Sequence, residues 1–498
     1  MPRAYPLSTM EALLTTLADW KSFNAIVVGD FMLDQQLYGI ANRLSPDAPV
    51  PVLHVTKQEN QPGGAANLCL DLHAMHGKVT AIGVVGNDHD AKILTDALST
   101  QGVDACSIIP DPSRPTTVKR NLIGLAQGRH AQKMFRVDFE SSEPIDRSIV
   151  DQLLEQFDAQ LADAHFVCIE DYNKGVCTPE LCQAIISRAK AAGKPVYIDP
   201  APIKDYSKYA GATAITPNRT EGELACSLDT KSDSHAIARE LRTQNNFETV
   251  VLTLDKHGAL LDCADLGEPV SIPTQARSVY DVTGAGDMML AGLAAARANG
   301  LSWVDSVQLA NAAAGLEVEI FGVAPIPIEK VHHELLMLNA GARGKLRSLD
   351  EAIVMTKAAK NSGQSVVFTN GCFDIIHAGH ISLLQRAAAL GDTLIVAMND
   401  DHSVRALKGP TRPVNDQENR ARVLGALECV DAVVLFHDET PITLIEGIAP
   451  DVLVKGGDYS VETVVGADFV INNGGRVELL DLIDGLSSTS TIEKMKNS

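Results

Sequence analysis

The sequence predicts an α/β protein in two successive domains, each built on a largely parallel sheet. Three observations predict it. Short apolar runs alternate with helix-length segments along most of the chain, the pattern of strand and crossover helix. The rhythm breaks once, between Ile326 and Arg347, and then restarts. The 498 residues also exceed what one ordinary core accommodates.

In chain order, AIVVGD (25–30), AIGVVG (81–86), FVCIED (166–171), PVYIDP (195–200) and VVLTLD (250–255) read as buried strands of the first domain. The break, PIPIEKVHHELLMLNAGARGKLR with the proline just before Ile326, offers prolines, a short helix, then glycine and a basic tail, and reads as a connection. It places a first domain at 1–330, a linker at 331–345 and a second domain at 346–498. The alternation then resumes with SVVFTN, TLIVAMN, DAVVLF, DVLVKG and RVELLDL. No repeat of fixed period and no low-complexity tract interrupts either half.

Composition narrows the function classes. At 45% hydrophobic and 21% charged residues the chain is globular rather than disordered. A net charge of −21 repels nucleic acid and anionic membrane, so neither is expected as a partner, and any polyanion must meet a local basic site. Nine scattered cysteines without a CxxC pair suggest neither a disulfide framework nor a structural zinc cluster. MPRAYPLSTMEALLTTLADW lacks the unbroken apolar core of a signal peptide, and no stretch is apolar for a membrane span. A soluble protein of the reducing cytoplasm is expected.

Two stretches carry chemistry. In DVTGAGDMMLAGLAAARANG (281–300), Gly284, Ala285 and Gly286 open a long helical pattern, leaving backbone amides at a helix N-terminus to receive an anion. Asp287 follows in the first turn. A carboxylate beside a phosphate nest is a poor phosphate ligand but well placed to take a proton from an attacking hydroxyl, which is the logic of phosphoryl transfer. The plainer reading is a glycine turn capped by an aspartate. No GxxxxGK[ST] occurs, which excludes a P-loop kinase. In FTNGCFDIIHAGH (368–380), His377 and His380 lie one helical turn apart with Asp374 before them. They could bind a metal, pack structurally, or aim imidazoles and free amides at a triphosphate for nucleotidyl transfer; HExxH or a clear third ligand, which zinc would want, is absent.

DVTGAGD resembles the anion-hole signature of the ribokinase-like sugar kinases, and the resemblance extends over most of 20–330. It implies an ATP- and Mg²⁺-dependent kinase with Asp287 as catalytic base and Gly284, Ala285 and Gly286 as the anion hole. GDFMLD is similar to the family's first sugar-side motif, implying Asp34 as a hydroxyl ligand. PGGAANL is similar to the second, implying Gly63, Gly64 and Asn67. TPNRTEGE matches its Asn-x-x-Glu, implying Asn218 and Glu221 near the nucleotide phosphates and Mg²⁺. LTLDKHG and ANAAAG imply Thr253, Gly258 and Asn311 around the adenine nucleotide. RLSPDAPVPVLHV and FRVDFE resemble the subgroup acting on heptose 7-phosphate, where Arg43, Arg136 and Lys174 would meet the substrate's phosphate.

HAGH resembles the HxGH signature of the cytidylyltransferase-like nucleotidyltransferases, a smaller Rossmann-like fold, over nearly all of 346–498. That implies catalytic His377 and His380, and nucleotide contacts from Thr369, Asn370, Gly371, Phe373, Lys408 and the helix start Ser487, Ser488 and Thr489. Asp374 and Lys455 would contact the sugar phosphate. The final arginine of many relatives is replaced by Ile492 and Glu493, which leaves phosphate charge to Arg405, Lys408, Arg412, Arg420 and Arg422. Both halves in this order resemble the bacterial bifunctional enzymes of ADP-heptose synthesis, which serve the lipopolysaccharide core. The resemblance implies sugar-phosphate substrates, ATP, a homodimer and a separate phosphatase acting between the two steps. The alternatives are a kinase and CTP-dependent transferase on another sugar or polyol phosphate, and a non-catalytic sugar sensor.

Overall fold

The computed structural model describes residues 16–17, 19–126, 130–228, 233–274, 282–320, 324–339, 344–361, 363–457 and 460–480. The chain divides into two compact units, Trp20–Val331 and His332 onward, with the residues described before Trp20 grouped in the second.

The first unit contains β1 (Phe23–Gly29), β2 (Phe31–Leu44), β3 (Pro51–Gly64), β4 (Gly77–Gly86), β5 (Asp104–Asp111), β6 (Thr117–Ala126), β7 (His130–Phe139), β8 (Phe166–Glu170), β9 (Val196–Asp199), β10 (Ala214–Ile215), β11 (Thr249–Thr253), β12 (Ala259–Cys263) and β13 (Val270–Ile272). Nine of them form one sheet in the order β13-β12-β11-β10-β9-β8-β1-β4-β5. It is parallel from β5 to β11, and its inner strands are buried on both faces, as continuous apolar runs such as FNAIVVG require. The Arg147–Leu161 helix covers it with Ile149, Val150, Leu153, Leu154, Phe157 and Leu161, a stripe of helical period.

The antiparallel β12 and β13 at the sheet edge, and a separate four-stranded sheet β3-β2-β6-β7, are not foreseen by the parallel reading. This second sheet holds Arg43 and Arg136, the motif residues 43–44 and 51–55, and Gly63 and Gly64. It begins directly after β1 and returns at Gly64 to the start of the Ala65–Ala74 helix, so its root lies at the carboxyl end of β1. On one face Asp34 stands opposite Lys119, and Lys119 opposite Asp138. Phe135, Val137 and Phe139 alternate with these positions and are exposed.

The second unit contains β14 (Leu346–Arg347), β15 (Val366–Gly371), β16 (Thr393–Asn399), β17 (Ala432–Phe436), β18 (Val452–Gly456) and β19 (Arg476–Leu480), all parallel, in the order β14-β17-β16-β15-β18-β19. Val366 and Phe368 join the core on one side while Val367 joins the core on the other. The sheet is therefore covered on both faces, as expected of parallel strands.

Candidate active sites

In the larger sheet the strand order reverses at β1, which lies between β8 and β4. The crevice at the carboxyl ends of strands beside such a reversal is where α/β sheets bind ligands. The ends of β1, β8 and β9 supply Asp30, Glu170, Asp171, Tyr172 and Asp199 there. The Ala285–Ala298 helix delivers Asp287 to them in its first turn. Its N-cap, Gly284, has φ 90°, a left-handed conformation that a side chain resists, so glycine permits this entry into the helix. Ala285 and Gly286 follow with their amides at the positive end of the helix dipole.

Asp287 is buried, and its two oxygens are held from opposite sides. Oδ2 accepts from Asn67 Nδ2 at 2.8 Å and Oδ1 from the Tyr172 hydroxyl at 2.9 Å. Burial pushes its carboxyl up to about 6, although both donors and Lys119 pull the other way. Glu170 and Asp199 offer oxygens that lie within 4.8 Å of one another and of Asp287. Burial and carboxylate repulsion push both well above the usual range. Asp30 accepts the amides of Tyr172 at 2.8 Å and Lys174 at 3.0 Å, which fixes the loop carrying Tyr172.

Asp34 borders the same space. A Cβ on Gly63 would come within 2.5 Å of Asp34 Oδ2, so the glycine makes room for that carboxylate. Burial raises the Asp34 carboxyl, moderated by Lys119 and Arg136. Lys119 Nζ lies 4.8 Å from the centre of the Tyr172 ring. Gly64 caps the helix that carries Asn67. Asn67, expected as a sugar ligand, has its amide nitrogen on the base.

Two of the three expected phosphate contacts have acidic partners, and the third lies far along its strand. Arg136 pairs with Asp138 at 2.9 Å and Lys174 with Glu140 at 2.7 Å. Arg43 is exposed on β2, nine positions beyond Asp34, which along an extended strand is about 30 Å. Within one chain it does not reach Asp34.

On the nucleotide side, Asn218 caps the Arg219–Ala225 helix by exchanging hydrogen bonds with Glu221: Asn218 Oδ1 accepts the Glu221 amide at 3.0 Å and Glu221 Oε2 accepts the Asn218 amide at 2.8 Å. Thr253 at the end of β11 bridges to Asn218, and Gly258 closes the following turn. Glu221 stands close enough to raise Asp199. Asn311, expected around the adenine nucleotide, is buried, and its Nδ2 donates to the Ile272 carbonyl at 2.9 Å, which ties its helix to β13.

In the smaller sheet the order reverses at β15, between β16 and β18. Thr369, Asn370 and Gly371 end β15, and Lys455 near the end of β18 donates to Asn370 Oδ1 at 2.9 Å. Burial lowers the Lys455 pKa. A cavity of about 360 Å³ opens there, lined among others by Asn370, Gly371, Asn399, Glu439 and Lys455.

His377 is the extended N-cap of the Ala378–Ala388 helix, and His380 in the first turn bonds its amide to the His377 carbonyl at 2.9 Å. The two ring centroids are 3.9 Å apart, with buried Phe373 against His380 at 5.4 Å. Burial lowers both pKa values; for His380, burial, His377 and Lys408 together bring it to about 4. The result is a pair of neutral imidazoles at the positive end of a helix, with Lys408 in electrostatic reach. Among the described residues, no group with metal-ligand spacing includes either histidine.

Asp374 and the basic cluster require correction. Asp374 is buried; Oδ2 takes the Arg412 guanidinium and Oδ1 the amides of Val414 at 2.7 Å and Asn415 at 3.3 Å. Although burial opposes it, these donors hold its carboxyl below the usual range, and its oxygens anchor a loop instead of meeting a sugar phosphate. Arg420 is also buried, donating to the carbonyls of Cys372 at 2.7 Å, Asn399 at 2.8 Å and Asn415 at 3.0 Å and to Asp401 Oδ1 at 2.7 Å. Arg405, Lys408 and Arg422 remain exposed. Ser487, Ser488 and Thr489 lie outside the described residues.

Sequence reasoning missed Tyr172, Glu170, Asp199 and Lys119. The first three stand at strand ends beside the reversal, a signal available once strand order is known; Lys119 carried none.

Residues 23–330 match the pfkB family of carbohydrate kinases and residues 368–474 the cytidylyltransferase-like family. The chain is 42% identical over 478 residues to the "Bifunctional protein HldE" of Geobacter metallireducens, covering 95% of this chain and 96% of that one. It is 41% identical over 490 residues to the protein of the same name from Mesorhizobium japonicum, covering 98% and 97%. Among solved structures, Escherichia coli phosphofructokinase-2 in complex with potassium superposes with a TM-score of 0.52 at 17% identity, covering 64% of this chain and 99% of that one, a likeness of fold.

Proposed function

The chain belongs to the pfkB family of carbohydrate kinases and, over nearly its whole length, to the bifunctional HldE proteins, and on that premise we propose that it performs two steps of ADP-heptose synthesis. The first is ATP-dependent phosphorylation of D-glycero-D-manno-heptose 7-phosphate on its anomeric hydroxyl, giving the 1,7-bisphosphate. The second is adenylyl transfer from ATP to heptose 1-phosphate, giving ADP-heptose and pyrophosphate for the lipopolysaccharide core.

The observation that carries the first step is the placement of Asp287, buried beside the Gly284–Gly286 turn and clamped by Asn67 and Tyr172. Its carboxylate takes the proton of the sugar hydroxyl as that oxygen attacks the γ-phosphorus and the bond to ADP breaks. The helix amides receive charge on the transferred group. Glu170 and Asp199, hard oxygen donors with Glu221 nearby, suit Mg²⁺, which supplies neutralisation of phosphate charge when bound with ATP. In the second step a phosphate oxygen of the sugar attacks the α-phosphorus and pyrophosphate leaves. His377, His380 and Lys408 stabilise the developing charge, while Lys455 and Asn370 hold the sugar phosphate.

The kinase product carries two phosphates and the transferase substrate one, so a separate phosphatase acts between them. The exposed Phe135, Val137 and Phe139 favour pairing of two chains through the four-stranded sheet. No helix among the described residues is long and apolar enough to cross a membrane; a cytoplasmic setting fits the sugar-phosphate and ATP substrates. The test is mass spectrometry of products from the purified chain with heptose 7-phosphate, ATP and Mg²⁺. The bisphosphate alone should form, and ADP-heptose only after a phosphatase is added. ADP-heptose without that addition, or no bisphosphate, overturns the reading.

A further inference from the structure

Behind the kinase base stands a second carboxyl that no substrate can touch. Asp71 is fully buried, one helical turn beyond Asn67 on the Ala65–Ala74 helix. The Asn67 amide nitrogen has two hydrogens, and both are spent on carboxylates: Asp287 Oδ2 at 2.8 Å and Asp71 Oδ2 at 3.1 Å. The atom facing the ionised Asp287 oxygen must be the NH₂ group, because a carbonyl there would meet an acceptor, and Asp71 Oδ2 takes the second hydrogen of that same group. Asp71 therefore settles which end of the Asn67 amide meets the base. The arrangement is costly. Asn67 Oδ1 and Asp71 Oδ1 are buried and find no hydrogen-bond partner among the described residues, and burial followed by Glu317 and Asp287 pushes the Asp71 carboxyl well above its usual range. A well-packed apolar side chain would avoid that cost, so packing alone does not account for the residue.

We propose that Asp71 is a positioning residue for phosphoryl transfer: through the Asn67 amide it fixes the orientation of the Asp287 carboxylate that receives the substrate proton. Without Asp71 the Asn67 side chain can turn its carbonyl toward Asp287, and the base loses one of the two donors that hold it. Substrates still bind, because neither Asp71 nor the Asn67 amide nitrogen is left to meet them.

The inference rests on Asp287 acting as the base, and the test separates the two. In the full-length chain, Asp71→Leu should lower kcat for phosphorylation about tenfold or more, the scale expected for a misaimed catalytic group, with KM for ATP and sugar phosphate within about twofold. Asp71→Asn keeps an oxygen that can accept from Asn67 and should restore most of the rate. In an Asn67→Ala background, Asp71→Leu should cost little more, because the amide through which it orients the base is gone. Should the leucine variant not fold, Asp71→Ala takes its place in the same cycle. Loss in KM rather than kcat, an asparagine variant as impaired as the leucine one, or an undiminished loss in the Asn67→Ala background each overturns the proposal. Asp287→Asn is assayed alongside. Retained phosphorylation there sinks the base assignment itself, whereas its loss with Asp71→Leu unimpaired sinks only the role of Asp71.

Discussion

Replacing Asp287 by asparagine should move activity and stability in opposite directions. Asparagine fits the same space: its oxygen can accept from Asn67 Nδ2, and its amide can donate to Tyr172, whose hydroxyl rotates to accept. The fold therefore survives, but no group remains to take the proton, and kcat for phosphorylation should fall at least about a hundredfold, or about 2.7 kcal/mol. Holding the native carboxylate ionised has a cost. Its carboxyl rises from 3.8 to about 6 on folding, mainly through burial, and a shift of that size destabilises the ionised protein by about 3 kcal/mol at neutral pH. A pKa raised in the folded state favours folding below the unfolded value and loses that advantage as pH rises through about 6. The variant should accordingly melt higher than the native protein at pH 7, and the gap should close as pH falls toward 4. Calorimetric melts at several pH values and a coupled ADP-release assay read both arms, with adenylyl transfer in the same preparation as an internal control. A variant that phosphorylates at near-native rate, or that melts lower at pH 7 by an amount that persists at pH 4, refutes the reasoning.

The acid limb of phosphorylation kcat/KM should have its midpoint near 6 rather than near 4, since Asp287 must be unprotonated to act; a pH-rate profile flat down to pH 5 would contradict the burial argument. His380→Ala should reduce adenylyl transfer by about a hundredfold or more while sparing phosphorylation, because it removes a transition-state donor in the other unit; equal loss of both activities in one assay series would show the sites are not separable. Lys455→Met should raise the KM for the sugar 1-phosphate well above that for ATP, as expected if Lys455 and Asn370 hold the sugar phosphate; an ATP-selective effect would reassign the lysine.

The parts of these sites visible in the sequence are those whose chemistry is local. Gly284, Ala285, Gly286 and Asp287 declare themselves because the turn, the helix start and the carboxylate are consecutive, and His377 and His380 do so because one helical turn joins them. Tyr172 and Lys119 were illegible for the opposite reason: one follows the end of β8 and the other lies on β6, in different sheets and 53 positions apart, and only the tertiary fold brings the ammonium over the ring. Asp374 misled because a motif gives membership, not hydrogen-bond accounts; its oxygens are already spent on Arg412, Val414 and Asn415. The α/β alternation was legible through apolar runs buried on both faces. The four-stranded sheet was not, because its strands carry polar residues on one face and stay exposed on the other.

The adjacent, mutually tilted imidazoles also make the transferase site a proton acceptor in waiting. With ring centroids 3.9 Å apart, the pair cannot comfortably hold two positive charges, and burial, with His377 and Lys408 beside it, keeps His380 neutral down to about 4. A triphosphate brings several negative charges to the same helix end and reverses the electrostatic balance for one ring. With a triphosphate bound as proposed above, proton uptake by the pair is the expected outcome. The heat of binding should scale with the ionisation enthalpy of the buffer, a dependence that His380→Ala removes, and the affinity should strengthen as the solution is made mildly acidic.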